Sequence, residues 1–226
     1  MFGTEVGVAG EGADGFIASV KTVVQARDQL SPQTKISIDE LGTFFGLDIN
    51  STAPYSSYPP LFWIASGAFH AYCYENIAKL GVNVVSMTQM VGYPNNSPSV
   101  AMLNWETGHP NARYWILKLL RDNFGPGDVL TNTTVNSSHV AAQSFGTSEG
   151  KKLLLINKSN ATAQVTLPAG CSTTFTVVDE ATSENPPRVE TISNGVVTLA
   201  PFAVSIVGQP HQERHDHQGR DPENND

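Results

Sequence analysis

Asp39 and Glu40 stand together at the end of a short β-rich run, Lys35-Ile36-Ser37-Ile38-Asp39-Glu40. A carboxylate there can serve as nucleophile, general base or metal ligand. The plain alternative is a turn cap at Asp39 and a solvated Glu40. A second group follows a second apolar run, Val82–Met87: Gln89 at its end, then Tyr93, Asn104, Trp105 and Glu106 in the loops beyond. Ring, amide and carboxylate together offer a flat face for C–H stacking and polar groups for hydroxyls, which is what a sugar requires. For Trp105 the alternative is packing under the next helix. A third pattern, Gly10-Glu11-Gly12-Ala13-Asp14-Gly15, fits G-x-G-x-x-G, with Asp39 where a ribose-binding acid would stand. Against this rival dinucleotide reading, Glu11 and Asp14 would oppose a pyrophosphate, and the leading run Glu5–Ala9 is short. His211, His215 and His217 lie in a polar tail, so neither a metal site nor a cofactor is expected.

The elements that must position these groups follow from periodicity. Phe16, Ile17, Val20, Val23, Val24 and Leu30 mark one helix, with Asp14 as its candidate cap and Ser31-Pro32 as its end. Pro59-Pro60 opens a second helix with Leu61, Phe62, Ala65, Ala68, Phe69, Tyr72 and Cys73 on its apolar side, and Gly81 closes it. Asn111 to Phe124 reads as a third, with Tyr114, Leu117, Leu120 and Phe124 facing inward. The irregular stretch from Thr43 to Tyr58 is long for a connection and suits a functional loop. Helices alternating with buried strands imply a parallel sheet with chemistry at its carboxyl ends.

After Gly125-Pro126-Gly127 the texture changes. Eight short apolar or alternating runs recur at about ten-residue spacing: Val129–Thr134, Val140–Phe145, Lys152–Ile156, Ala163–Leu167, Thr173–Val178, Val189–Ile192, Gly195–Leu199 and Ala203–Val207. They predict an antiparallel β-sandwich. The expected division is a partial α/β unit over 1–127, an all-β sandwich over 128–208 and a disordered polar tail over 209–226.

The net charge of -8, from 13 basic and 21 acidic residues, argues against nucleic acid and against an anionic membrane surface as partner. Two cysteines, Cys73 and Cys171, read as separate thiols. The start, Met1-Phe2-Gly3-Thr4-Glu5, lacks the basic and apolar regions of a signal peptide. Yet N-x-S/T sequons begin at Asn50, Asn95, Asn132, Asn136, Asn157 and Asn160. About two or three are expected by chance, so the excess suggests a secreted, glycosylated parent protein. The bland alternative is Asn- and Thr-rich loop composition.

Thr34-Lys35-Ile36-Ser37-Ile38-Asp39-Glu40-Leu41-Gly42 resembles the seventh barrel strand of clan A retaining glycoside hydrolases. Ser99 to Gly108, then Pro110 to Trp115 and Leu119 to Asp128, resemble fungal proteins of glycoside hydrolase family 39. The likeness runs from about Asp14 to Val207. It implies the C-terminal part of a (β/α)8 barrel followed by a sandwich, acting on a glycan or glycoside, with Glu40 as nucleophile. Gln89, Tyr93, Asn104 and Trp105 are the expected sugar-binding residues. The family's acid/base glutamate sits in an Asn-Glu motif on the fourth strand, which has no counterpart here. Glu106 is a substitute that its spacing does not demand. The lone chain is therefore expected to be inactive, and its unpaired strands to favour self-association. The non-catalytic alternative is a carbohydrate-binding or structural sandwich.

Overall fold

The computed structural model describes residues 6–7, 10–43, 53–92 and 100–210. Strands β1 (Val6–Gly7) and β2 (Gly10–Glu11) form a minimal antiparallel ribbon. Helix α1 (Ala13–Leu30) begins at Gly12, not under a cap from Asp14, whose carboxylate instead accepts the Tyr72 hydroxyl at 2.6 Å. Ser31 ends it as expected. Only one stripe of α1 meets α2, so Val20 and Val24 are buried while Val23 and Leu30, expected on the same face, are exposed.

Strand β3 (Ser37–Leu41) pairs with β4 (Val84–Met87) in parallel. Neither joins β1 or β2, so the crossover that a dinucleotide site requires is not formed, and that reading is set aside. Among the described residues the two strands make a sheet of their own, and Val84, expected to be buried, is 55% exposed.

Helix α2 (Pro60–Lys79) is the centre of the molecule. Proline fills its first position, where no amide partner is needed. It packs against α1, α3, β7 and β12, and residues on every side of it are buried, not one face alone. Helix α3 (Ala112–Asn123) is capped by Asn111, whose side-chain oxygen accepts the Arg113 amide at 3.0 Å and the Tyr114 amide at 3.4 Å. Its buried stripe is Ala112, Arg113, Ile116 and Leu119. The expected Tyr114, Leu117, Leu120 and Phe124 are half-buried, because the face is set by contact with Gly67 of α2.

All eight runs of the second half are strands: β5 (Val129–Thr131), β6 (Val140–Thr147), β7 (Gly150–Asn157), β8 (Ala163–Thr166), β9 (Thr174–Val178), β10 (Arg188–Thr191), β11 (Val196–Leu199) and β12 (Val204–Pro210). Six form one antiparallel sheet in the order β10-β9-β12-β7-β6-β5, and β8 and β11 form a second. Along β7 the side chains alternate: Leu154 and Ile156 join the core under the helices, and Leu155 joins the core between the sheets. The large sheet is thus buried on both faces, and its strands share one core with α2.

Candidate active site

Strand β3 carries a bulge. Ile38 pairs with Val85 and Leu41 with Met87, so three steps on β3 answer two on β4. Ile38 and Leu41 both face the helices, while Ser37, Asp39 and Glu40 are exposed on the opposite side. The extra residue re-aims Glu40 onto the open face of the strand end. There Glu40 Oε1 accepts the hydroxyl of Thr88, the residue just after β4. Ser37 bonds Asp39 at 3.1 Å, which keeps the neighbouring carboxylate apart from that pair.

Behind Thr88 lies a buried polar cluster. Arg113 Nη2 donates to the Thr88 carbonyl, and the Thr88 amide donates to the Leu41 carbonyl at 3.1 Å. His70 Nδ1 donates to the Ser66 carbonyl at 2.7 Å, which fixes its neutral tautomer. Burial, then the nearby Arg113 guanidinium, holds the His70 pKa down at about 3. Burial brings Arg113 down to about 10, and burial lifts the neighbouring Tyr74 to about 12. No carboxylate pairs with Arg113 among the described residues. Its Nε and Nη1, with His70 Nε2, Tyr74 Oη and Gln89 Nε2, are buried without a hydrogen-bond partner among them.

The loop residues expected at the sugar are placed elsewhere. Asn104 Nδ2 donates to Glu184 Oε1 at 3.0 Å, while its oxygen accepts the Glu106 amide at 2.9 Å. Trp105 packs edge-on to Tyr55, 5.0 Å between ring centres, and Tyr55 stacks on Trp63 at 4.5 Å. Glu106 Oε1 accepts the Tyr55 amide at 3.0 Å. Tyr55, Trp63, Asn104 and Glu106, but not Trp105, line a cavity of about 360 Å³ that also borders Glu184 of the β9–β10 loop. Glu40 and Gln89 are not on its wall. The structure therefore divides the expected site in two: Glu40 and Gln89 at the strand ends, and Asn104 on the cavity wall with Trp105 packed edge-on to Tyr55. Tyr93, Asn50, Asn95 and the histidine tail lie outside the described residues.

Glu184 is the residue that sequence reasoning missed. Its carboxylate holds Asn104 and stands 3.6 Å from His109 Nδ1, and its carbonyl accepts the Trp115 indole at 2.8 Å. It couples the sandwich to the loop before α3. Asn157 is also reassigned. Its side chain is fully buried, donates to Ala161 O and Ala200 O at 2.7 and 2.8 Å, and accepts from Ser159. A glycan has no exit there, whereas Asn132, Asn136 and Asn160 are exposed. Neither cysteine is in a disulfide; Cys73 is buried and Cys171 half-buried, and burial raises both thiols.

Helices covering one face of a large antiparallel sheet, with a short parallel pair beside them, define a glycosidase-like fold with an immunoglobulin-like C-terminal part. Residues 137–207 match the family described as D-apionate lactonase, C-terminal immunoglobulin-like domain. Among solved structures the chain is similar to a family 30 endoxylanase from Clostridium papyrosolvens, with 13% identity, a TM-score of 0.54, and coverage of 83% of this chain and 45% of that one. A conserved exported protein from Bacteroides fragilis gives 13% identity and a TM-score of 0.59 over 86% of this chain and 43% of that one. A β-porphyranase of glycoside hydrolase family 86 from Bacteroides plebeius gives 12% and 0.58, over 87% and 38%. At such identities the likeness is one of fold. The chain spans less than half the length of each of these three structures. No curated protein matches the sequence.

Proposed function

We propose that this chain is the C-terminal part of a retaining clan A glycoside hydrolase of the family 39 type, of fungal origin, with Glu40 as its nucleophile. The observation that carries the reading is the bulged end of β3, which turns Glu40 away from the core and sets it against the Thr88 hydroxyl. In a retaining mechanism the carboxylate attacks the anomeric carbon and forms a covalent glycosyl ester, as a second carboxyl about 5 Å away protonates the departing oxygen. That second carboxyl comes, on this reading, from strands beyond those described. Glu106 does not replace it, since it lines a cavity whose wall does not include Glu40 and holds the Tyr55 amide. The remaining parts of the proposal are the division into a barrel part over 1–127, a sandwich from 128 through the end of β12 at Pro210, two residues beyond the expected bound, and a tail after it; secretion of the parent with glycans on the exposed sequons; and self-association through the open strands. No cofactor is needed for this chemistry.

The test is mechanism-based labelling. A 2-fluoro glycoside with an activated leaving group needs no proton donor for its departure, so it should esterify Glu40 slowly, with the modified peptide identified by mass spectrometry. Natural glycosides should not turn over detectably, since general acid catalysis worth about 10²–10⁴-fold is missing. Labelling at any other carboxylate sinks the assignment.

A further inference from the structure

We propose that Arg113 is a positioning residue for Glu40, acting on the carboxylate only through Thr88. The inference rests on the reading of Glu40 as nucleophile and adds to it a residue from another element, the first turn of α3. Arg113 is 1% exposed, the largest fully buried side chain among the described residues. Its backbone is fixed on two sides. Asn111 accepts its amide at 3.0 Å and is itself anchored to the carbonyls of Ala101 and Met102, each at 2.9 Å. On the α2 side its Cα lies against Gly67. From this base the side chain reaches the end of β4, where Nη2 donates to the Thr88 carbonyl.

The charge it brings there is uncompensated. Burial lowers the guanidinium to about 10, so it is still cationic at neutral pH. The titratable groups that face it from α2 are His70, which is neutral, and Tyr74. No carboxylate among the described residues pairs with it, and its Nε and Nη1 have no partner. Burying an unpaired cation carries a penalty that one bond to a carbonyl does not return, and an apolar side chain of similar volume would fill the space with less. What the guanidinium does hold is Thr88. The Thr88 amide donates to the Leu41 carbonyl at 3.1 Å, its carbonyl accepts from Arg113, and its hydroxyl donates to Glu40 Oε1. The first two bonds fix the backbone of Thr88, so the third presents its hydroxyl to Glu40 in one direction. Arg113 thus orients the carboxylate through Thr88 and not by a bond of its own.

The test is fluoro-glycoside labelling of the full chain, with the rate of the labelling step and the affinity for the reagent measured separately. Arg113→Met should slow the labelling step about tenfold at unchanged affinity, the same loss as in Thr88→Val. The double variant should lose no more than either single one, because both changes break one relay. Arg113→Lys keeps a donor and should recover most of the rate. The melting temperature of Arg113→Met should not fall, since the unpaired charge is gone. Arg113→Gln, neutral and too short to reach Thr88, gives the same comparison where the methionine variant does not fold. A further loss on adding Arg113→Met to Thr88→Val overturns the proposal. So does labelling of Arg113→Met at the parent rate, which, with a lowered melting temperature, makes Arg113 a structural residue. If the parent chain is not labelled at all, the nucleophile reading fails by itself, and the carboxyl carbon resonance of Glu40, assigned by its loss in Glu40→Gln, decides the positioning. That resonance should move equally in Arg113→Met, Thr88→Val and the double variant, and a resonance unmoved in Arg113→Met overturns the proposal.

Discussion

The Thr88 hydroxyl donates to Glu40 Oε1 and so ties the carboxyl end of β4 to that of β3. The bond holds one carboxylate oxygen of a side chain that is otherwise exposed. Thr88 is itself held from behind, by Arg113 on its carbonyl and by Leu41 on its amide. A hydrogen bond to a charged group contributes about 1.5–3 kcal/mol. Thr88→Val should therefore slow fluoro-glycoside labelling of Glu40 about tenfold, while Glu40→Gln abolishes it. Equal labelling of Thr88→Val and the parent chain, followed by mass spectrometry, would show that the bond does not orient the nucleophile.

Glu184 joins two parts of the chain through Asn104, His109 and Trp115. Glu184→Ala leaves the half of this latch made by its side chain unfilled, with the buried Asn104 amide lacking its acceptor. The expected loss is about 1–3 kcal/mol, read as a fall of a few degrees in the melting temperature. Glu184→Gln, which can still accept from Asn104, should recover most of it.

Gly67 lets α2 and α3 pack in close contact. A Cβ there would meet Ile116 Cδ1 at 2.4 Å and the Arg113 Cα at 3.3 Å. Gly67→Ala should thus destabilise by about 1–3 kcal/mol despite the better helix propensity of alanine. Ile116→Val removes the clashing methyl, so the double variant should be more stable than the sum of the single changes predicts. Additivity in chemical denaturation would count against this contact.

His70 links stability to pH. Its folded pKa, held at about 3 by burial and then by Arg113, is below the ordinary value of 6.5. The unfolded chain therefore binds the proton first on acidification. The contribution is complete above pH 6.5 and is lost progressively as pH falls toward 3, at up to about 1.4 kcal/mol per pH unit. In His70→Gln, denaturant midpoints measured between pH 7 and 4 should fall less steeply than in the parent. Parallel slopes would mean that His70 is not the titrating group.

The β3–β4 pair presents edges that are unpaired among the described residues, with Val84 and Val91 exposed nearby. Open edges template strand pairing. The chain should show concentration-dependent association in sedimentation velocity, reduced by Val84→Lys. A single monomeric species from micromolar to near-millimolar concentration would contradict this.

Much of this architecture is legible in the residues themselves. Short apolar or alternating runs, broken by Gly, Asn and Ser, mark every strand of the sandwich, and Pro60, Asn111 and Gly81 mark helix boundaries, because these signals act within a few residues of chain. Glu40 at a strand end is legible for the same reason. The long-range relationships are not. The face that α3 buries is decided by Gly67, more than forty residues away, and the Asn157 sequon is closed by backbone carbonyls on a distant turn. Tertiary structure alone turned Glu40 outward through a bulge, because an extra residue in β3 has meaning only against the register of β4. It alone drew Asn104 away from Glu40 to Glu184, a partner 80 positions later. Local spacing determined which elements form, since backbone preference and side-chain period are properties of neighbours. Which side chains meet was decided by packing, because a contact across the core depends on how several elements bury their apolar faces at once.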